Sequence, residues 1–361
     1  MVTVMTKLFS TITLFIIVFS LTIYSAVADV LNIKEGAPTK YVVKKGDTLW
    51  DISKLFLDKA WLWPELWRNN TQIENPHLIY PGDTLRLRYE NGVPILEIVS
   101  DKSLVTLTPN QRVVNKPDPI DLLPWDIIAP FYNNDSLMSA EDYQALPTLL
   151  GDNSGTPRFA SHDYVLAHKL PATESKYQVV RKERDIVDSK GKLLGVQVSH
   201  LSDASLINQL SDERQVVRLT QSSREAKQGD KLLAFKAPEQ NNLVLKAASS
   251  RSKGELVQNV NGNVLSGKND MVIINIGSRQ VKPGTVFGIY YKGPDVLYED
   301  EPSYTQTRSS IVDVFSTKER VEQPAYKIGE LVVVKTFKHA SYAWVTNANT
   351  HIQGGEYIAT P

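Results

Sequence analysis

The chain has no cysteine in 361 residues. That excludes a disulfide framework, a thiol nucleophile and any zinc site built on thiolates. It also lacks an excess of either charge, with 40 Lys and Arg against 40 Asp and Glu. No global field is present to draw in nucleic acid or anionic lipid. Histidine is scarce, at six residues, and none of them forms H-x-H or H-E-x-x-H. The usual zinc-peptidase signatures are therefore missing. There is no G-x-S-x-G, and no S-x-x-K with its supporting motifs. His200-Leu201-Ser202-Asp203 reads as a polar loop, and Glu183-Arg184-Asp185 and Asp212-Glu213-Arg214 read as solvated charge clusters. No residue stands out as catalytic, and none as a metal or cofactor ligand. The expectation is a protein that is not an enzyme. The alternative is a hydrolase with unrecognised catalytic carboxylates, because a carboxylate-pair glycosidase needs no fixed spacing between its acids.

Long apolar runs are absent after residue 24, and one stands before it. Lys7 is followed by an uncharged apolar run over 8–24 and by Ala26-Val27-Ala28. A basic start, an apolar middle and an A-x-A site together predict a secretory signal peptide over 1–28. Its loss removes one lysine and leaves a net charge of about −1. The run is about 17 residues, so an uncleaved inner-membrane anchor is the alternative. No cysteine follows for lipidation. The expected location is the periplasm or cell envelope.

Residues 41–89 carry the densest pattern. Tyr41-Val42-Val43-Lys44 reads as a strand running into Gly46-Asp47-Thr48-Leu49. Thr48 suits an N-cap, with Asp51 three residues on. Leu49, Ile52 and Phe56 then share one helix face, with Leu55 beside them. Pro64 suits the start of a second helix, where its missing N–H costs nothing. Leu66 and Trp67 are expected to turn inward. Asn75-Pro76 opens a return loop, and Tyr80-Pro81-Gly82-Asp83 turns into a second strand over 84–88. This order, with a Gly-Asp-Thr-Leu turn at each end, resembles the LysM module, a small βααβ domain. The resemblance implies binding of peptidoglycan or other N-acetylglucosamine glycans in a groove between two loops. It would place Gly46, Asp47, Thr48 and Leu49 on one side and Ile73, Asn75, Pro76, Leu78 and Ile79 on the other. Loop backbone groups would pair the N-acetyl amide, and Leu49, Ile73 and Ile79 would receive its methyl and the apolar sugar face. Four of the six tryptophans lie here. Trp50 and Trp67 are expected in the core, whereas Trp61 and Trp63 suit either a sugar platform or the core.

Residues 29–40 read as a linker and 90–155 as a semi-ordered connector. The connector is broken by Pro117, Pro119 and Pro124, with one short helix near 139–145 and a mobile loop at 151–155. From 156 to 361 the pattern is β, with short β-branched runs at 164–166, 178–180, 194–198, 216–219 and 331–334. A faint repeat pairs 216–234 with 332–359, each closing on a glycine turn and a strand. Residues 162–167 read as a degenerate third copy, and 293–325 as a long loop. The whole predicts an α+β protein: a βααβ module, then a mainly-β region of two or three small strand-rich repeats. That tail resembles uncharacterised regions following LysM modules in some Gram-negative envelope proteins, and a contact with another envelope protein is its expected role.

Overall fold

The computed structural model describes residues 31–67, 79–99, 119–171, 174–235, 243–298, 302–304 and 319–361. The apolar run over 8–24 lies outside them. The chain divides into two compact units, 1–119 and 120–361.

The first unit contains β1 (Lys40–Val42), α1 (Leu49–Phe56), a 3-10 turn (Ala60–Leu62), α2 (Trp63–Trp67), β2 (Thr84–Glu90) and β3 (Val93–Val99). The βααβ order is as expected, and β3 is an addition to it. The sheet order is β1-β2-β3, antiparallel throughout. Asn91 and Gly92 join β2 to β3 with φ of 51° and 80°. Two consecutive positive φ values make a type I′ turn, whose twist matches that of paired strands. Ile95 and Leu96 of β3 are buried, so the core of this unit takes in residues beyond the βααβ module. The stretch 29–40 is also less of a linker than expected. Ile33 bridges to Leu57, and the Lys34 N–H donates to the Phe56 carbonyl at 2.8 Å.

The second unit opens with α3 (Trp125–Asn134), β4 (Asp135–Met138), α4 (Ala140–Ala145), β5 (Thr148–Gly151), β6 (Arg158–Phe159) and β7 (Tyr164–His168). There follow β8 (Lys176–Val187), β9 (Leu193–Ser211), β10 (Arg214–Thr220), β11 (Ala226–Lys227) and β12 (Lys231–Ala234). The expected short helix is α4, capped by Ser139, whose hydroxyl accepts from the Asp142 N–H at 3.0 Å. The apolar clusters of the connector form α3 despite Pro130, with Ile128 fully buried. One lost backbone bond is tolerated there because the helix packs its apolar side. The loop at 151–155 is organised by Asp152, which accepts from the N–H groups of Ser154 and Thr156.

The sheet runs β10-β7-β5-β12-β8-β9-β4, and β9 pairs again with β10. Six strands thus close into a barrel, with β4 outside. Closure removes the unpaired edges that an open sheet would present. Leu149, Phe159, Val165, Tyr177, Val179 and Leu219 fill the interior.

A second barrel follows. Its elements are β13 (Lys246–Ala247), β14 (Gly254–Asn259), β15 (Leu265–Ser266), β16 (Met271–Ile274), β17 (Thr285–Lys292) and β18 (Val296–Tyr298). The chain ends with β19 (Ser303–Tyr304), β20 (Glu319–Val321), β21 (Ala325–Thr336), β22 (Ser341–Ala348), β23 (Ile352–Gln353) and β24 (Tyr357–Ala359). The order is β13-β17-β21-β22-β16-β14-β24, closed by β17 against β24. The expected long loop at 293–325 instead carries β18, β19 and β20, paired as a small antiparallel sheet.

Taken in chain order, β5, β7, β8, β9, β10 and β12 are connected as β14, β16, β17, β21, β22 and β24 are. The side ribbons β6–β11 and β15–β23 also correspond. The agreement reaches single bonds. Leu149 N–H donates to the Asp230 carbonyl and its own carbonyl accepts from Gly229, at 2.9 and 3.0 Å. Leu256 makes the same two bonds with Glu356 and Gly355, at 2.8 and 2.7 Å.

One turn recurs in both units. An acidic side chain accepts from the backbone N–H three residues before it, and the residue between them has positive φ. It occurs at Lys44–Asp47, Tyr80–Asp83 and Lys227–Asp230, with Gly46, Gly82 and Gly229 at φ of 92°, 98° and 87°. It recurs at Gln353–Glu356 with Gly355 at 94°. At Ala160–Asp163 and Gly267–Asp270 the left-handed residues are His162 and Asn269. The carboxylate satisfies a donor that the turn would otherwise leave open.

Candidate glycan-binding site

The first loop of the βααβ module is fixed by Asp47. Its carboxylate accepts from the Lys44 N–H and from the Tyr41 hydroxyl, both at 2.8 Å. Burial, followed by that hydrogen bond, pushes the Tyr41 phenol up to about 12. The phenol therefore stays a donor across the physiological range. Thr48 caps α1. Its hydroxyl accepts from the Asp51 N–H at 3.1 Å and donates to the Asp51 carboxylate at 2.7 Å. The second Gly-Asp turn is zipped to β1. Gly82 N–H donates to the Val43 carbonyl, and Val43 N–H to the Asp83 carbonyl, at 2.8 and 2.9 Å. Both turns are held before any ligand arrives, which lowers the ordering cost of binding.

The predicted site residues fall into three groups. Gly46 is exposed and Asp47 half-buried, and the Asp47 N–H donates to the Lys44 carbonyl at 3.2 Å. Ile73, Asn75, Pro76 and Leu78 lie outside the described residues. Thr48, Leu49 and Ile79 are buried, the last two at 3% and 0% exposure. The Leu49 and Ile79 side chains, expected to meet an N-acetyl methyl, thus show almost no surface to solvent. Leu49 opens the apolar face of α1 shared with Ile52 and Phe56, and it is drawn into the core with them.

The tryptophans resolve the same way. Trp50, Trp61, Trp63 and Trp67 are all buried, at 0%, 3%, 7% and 7% exposure. The insert between the helices supplies core in place of a sugar platform. A domain this small gains much of its burial from large aromatics.

Elsewhere, the histidine–aspartate pair lies in β9 and not in a loop. A register shift opposite Val179 and Val180 brings His200 Nε2 to 2.8 Å from Asp203 Oδ1. The neighbouring Ser202 hydroxyl donates to the Asp203 and Thr220 carbonyls and so is not aimed at the imidazole. Glu183 of the charge cluster is held as well. It accepts from the hydroxyl of Ser199 at 2.5 Å and from Arg224 at 2.7 Å, which keeps its carboxyl below the usual range. Among the described residues no three His, Cys, Asp or Glu side chains gather as a metal site would need.

Comparison with known proteins bears on the first unit. A protein of Bacillus subtilis (strain 168), the uncharacterized protein YqbP, is 36% identical over 63 residues, covering 15% of this chain. The chain spans 29% of that protein's length. Residues 41–88 match the LysM domain family. LysM domains generally bind peptidoglycan and N-acetylglucosamine glycans. With both Gly-Asp turns in place on either side of two helices, residues 41–88 are a LysM domain, a binding module rather than a catalytic one.

Proposed function

We propose that the chain is a non-catalytic peptidoglycan-binding protein of the periplasm, exported by its first 28 residues. The LysM domain holds N-acetylglucosamine glycan and tethers the β-rich region to the wall. The two barrels are read as two copies of one unit, and this region contacts a second envelope protein. The observation that carries the reading is the LysM domain itself, with the Gly46–Asp47 turn tied by hydrogen bonds and Gly46 exposed to solvent. Among the described residues no helix is long and apolar enough to cross a membrane.

The test is co-sedimentation of the chain from residue 29 onward with insoluble peptidoglycan. A single shallow site predicts a dissociation constant on the order of micromolar to millimolar. Protein that stays in the supernatant at those concentrations would sink the proposal. Clearing of the same sacculi in a zymogram would favour the hydrolase alternative.

A further inference from the structure

The charges of this chain balance overall but not at one end of the second barrel. Residues 243–253, 277–285 and 336–340 meet there. Lys246 N–H donates to the Gly284 carbonyl at 3.1 Å, and Ser278 N–H to the Phe337 carbonyl at 2.8 Å. A Cβ on Gly277 would lie 2.3 Å from the Lys338 carbonyl oxygen, so the segments touch directly. Together they hold Lys246, Arg251, Lys253, Arg279, Lys282 and Lys338, and no Asp or Glu. The ion pairs of the second unit, among the described residues, all use other cations.

Between the first two of these segments opens a cleft of about 610 Å³, with Lys246, Arg279 and Lys282 on its walls together with Ser249, Ser252 and Ser278. The Ser249 and Ser252 hydroxyls share one hydrogen bond at 2.9 Å. Arg251 and Lys253 flank Ser252 in sequence, and Lys338 adjoins Ser278. Cations and hydroxyls both donate hydrogen bonds, so the matching ligand is an extended acceptor with several negative charges. Like charges gathered on one cleft repel one another, and an anionic ligand relieves that repulsion while the low-dielectric walls focus the field upon it.

We propose that this cleft binds the carboxylate-bearing peptides of peptidoglycan. The proposal rests on the reading that the LysM domain holds the glycan of the same polymer. The recognised N-acetyl groups are neutral and leave the peptide carboxylates free for a second site. Two weak sites on one polymer strengthen each other through effective concentration.

The test uses the chain from residue 29 onward and its triple variant Lys246→Gln, Arg279→Gln, Lys282→Gln. All three side chains are exposed, and an unchanged melting temperature checks the fold. Both proteins are sedimented with intact sacculi and with glycan strands stripped of peptide by an amidase and with the freed lactyl carboxylates amidated, at low and at high salt. The expected result is about tenfold weaker binding of the variant to intact sacculi at low salt. High salt should close that gap, and the two proteins should bind stripped glycan equally. Equal binding to intact sacculi at low salt overturns the cleft. A gap that persists on stripped glycan, or tighter binding of the parent to anionic vesicles or a polynucleotide, overturns the peptide as its ligand. If neither protein binds stripped glycan while the gap on intact sacculi remains, the cleft is supported and the glycan reading fails.

Discussion

Leu49 and Ile79 show how a single position divides between fold and ligand. A groove residue needs exposed side chain, and these two have almost none. Leu49→Ser and Ile79→Ser should therefore melt as early as the core substitution Ile52→Ser, each losing about 2–5 kcal/mol to a cavity and a buried hydroxyl. Val42→Ser, at 54% exposure, should melt near the parent, and thermal unfolding of the four variants decides the matter. Gly46 and Gly82 pose the opposite case. No atom lies within 4 Å of a Cβ built on either, so an added methyl meets no clash, yet φ is +92° and +98°. Gly46→Ala and Gly82→Ala should each cost about 1–2 kcal/mol through the backbone alone. A variant as stable as the parent would show that the turn relaxes.

At the scale of elements, the hairpin β2–β3 extends the core around the LysM domain. Burying Ile95 and Leu96 contributes roughly 3–6 kcal/mol, comparable with the whole stability of so small a domain. A fragment of residues 31–99 should unfold cooperatively on heating, whereas 41–89 should not. A sharp transition in 41–89 would show β3 to be dispensable. The signal for β3 was present in the sequence. Asn-Gly between Tyr89-Glu90 and Val93 is the strongest short-range hairpin pattern, and proline at Pro94 obscured it. Proline is tolerated there because β3 is an edge strand. The short helix at 140–145 was legible for a plainer reason, since Ser139 and Asp142 form a local cap. Helix α3 was not, because its proline outweighs its apolar face until the rest of the unit is there to bury Ile128.

For the whole molecule, two carboxyls in the barrels set opposite responses to pH. Hydrogen bonds from Ser199 and then Arg224 hold Glu183 below its ordinary value. Its contribution is present above the unfolded Glu pKa, about 4.3, and is lost as pH falls through the lower folded value. Burial raises Glu356, the acid of the last recurring turn. Its contribution is full below the unfolded pKa and declines as pH rises through the higher folded value. Glu356→Gln should remove that decline and leave the protein more stable than the parent near neutral pH. Melting temperatures from about pH 3, below the unfolded Glu pKa, up to neutral pH test this. A parallel loss of stability in the variant would mean that the charge is satisfied in the fold.

The sequence by itself determined the LysM domain, because everything that marks it is local: a cap, a helix face, a proline and two Gly-Asp turns within fifty or so residues. It determined equally that the rest is β-rich, and it carried the paired turns at 228–234 and 353–359. Only the tertiary structure decided that these strands close into two barrels of one connectivity. Closure depends on β9 pairing with both β8 and β10, and on β24 meeting both β14 and β17. The partners of β24 are distant in the chain, and a strand's own pattern says which face is buried but not which neighbour it takes. The same holds for the two proposed ligand surfaces. Leu49 reads as loop or core until the helices are packed around it. The six cations are scattered over nearly a hundred residues of a neutral chain until folding gathers them at one end of a barrel, three of them on the cleft.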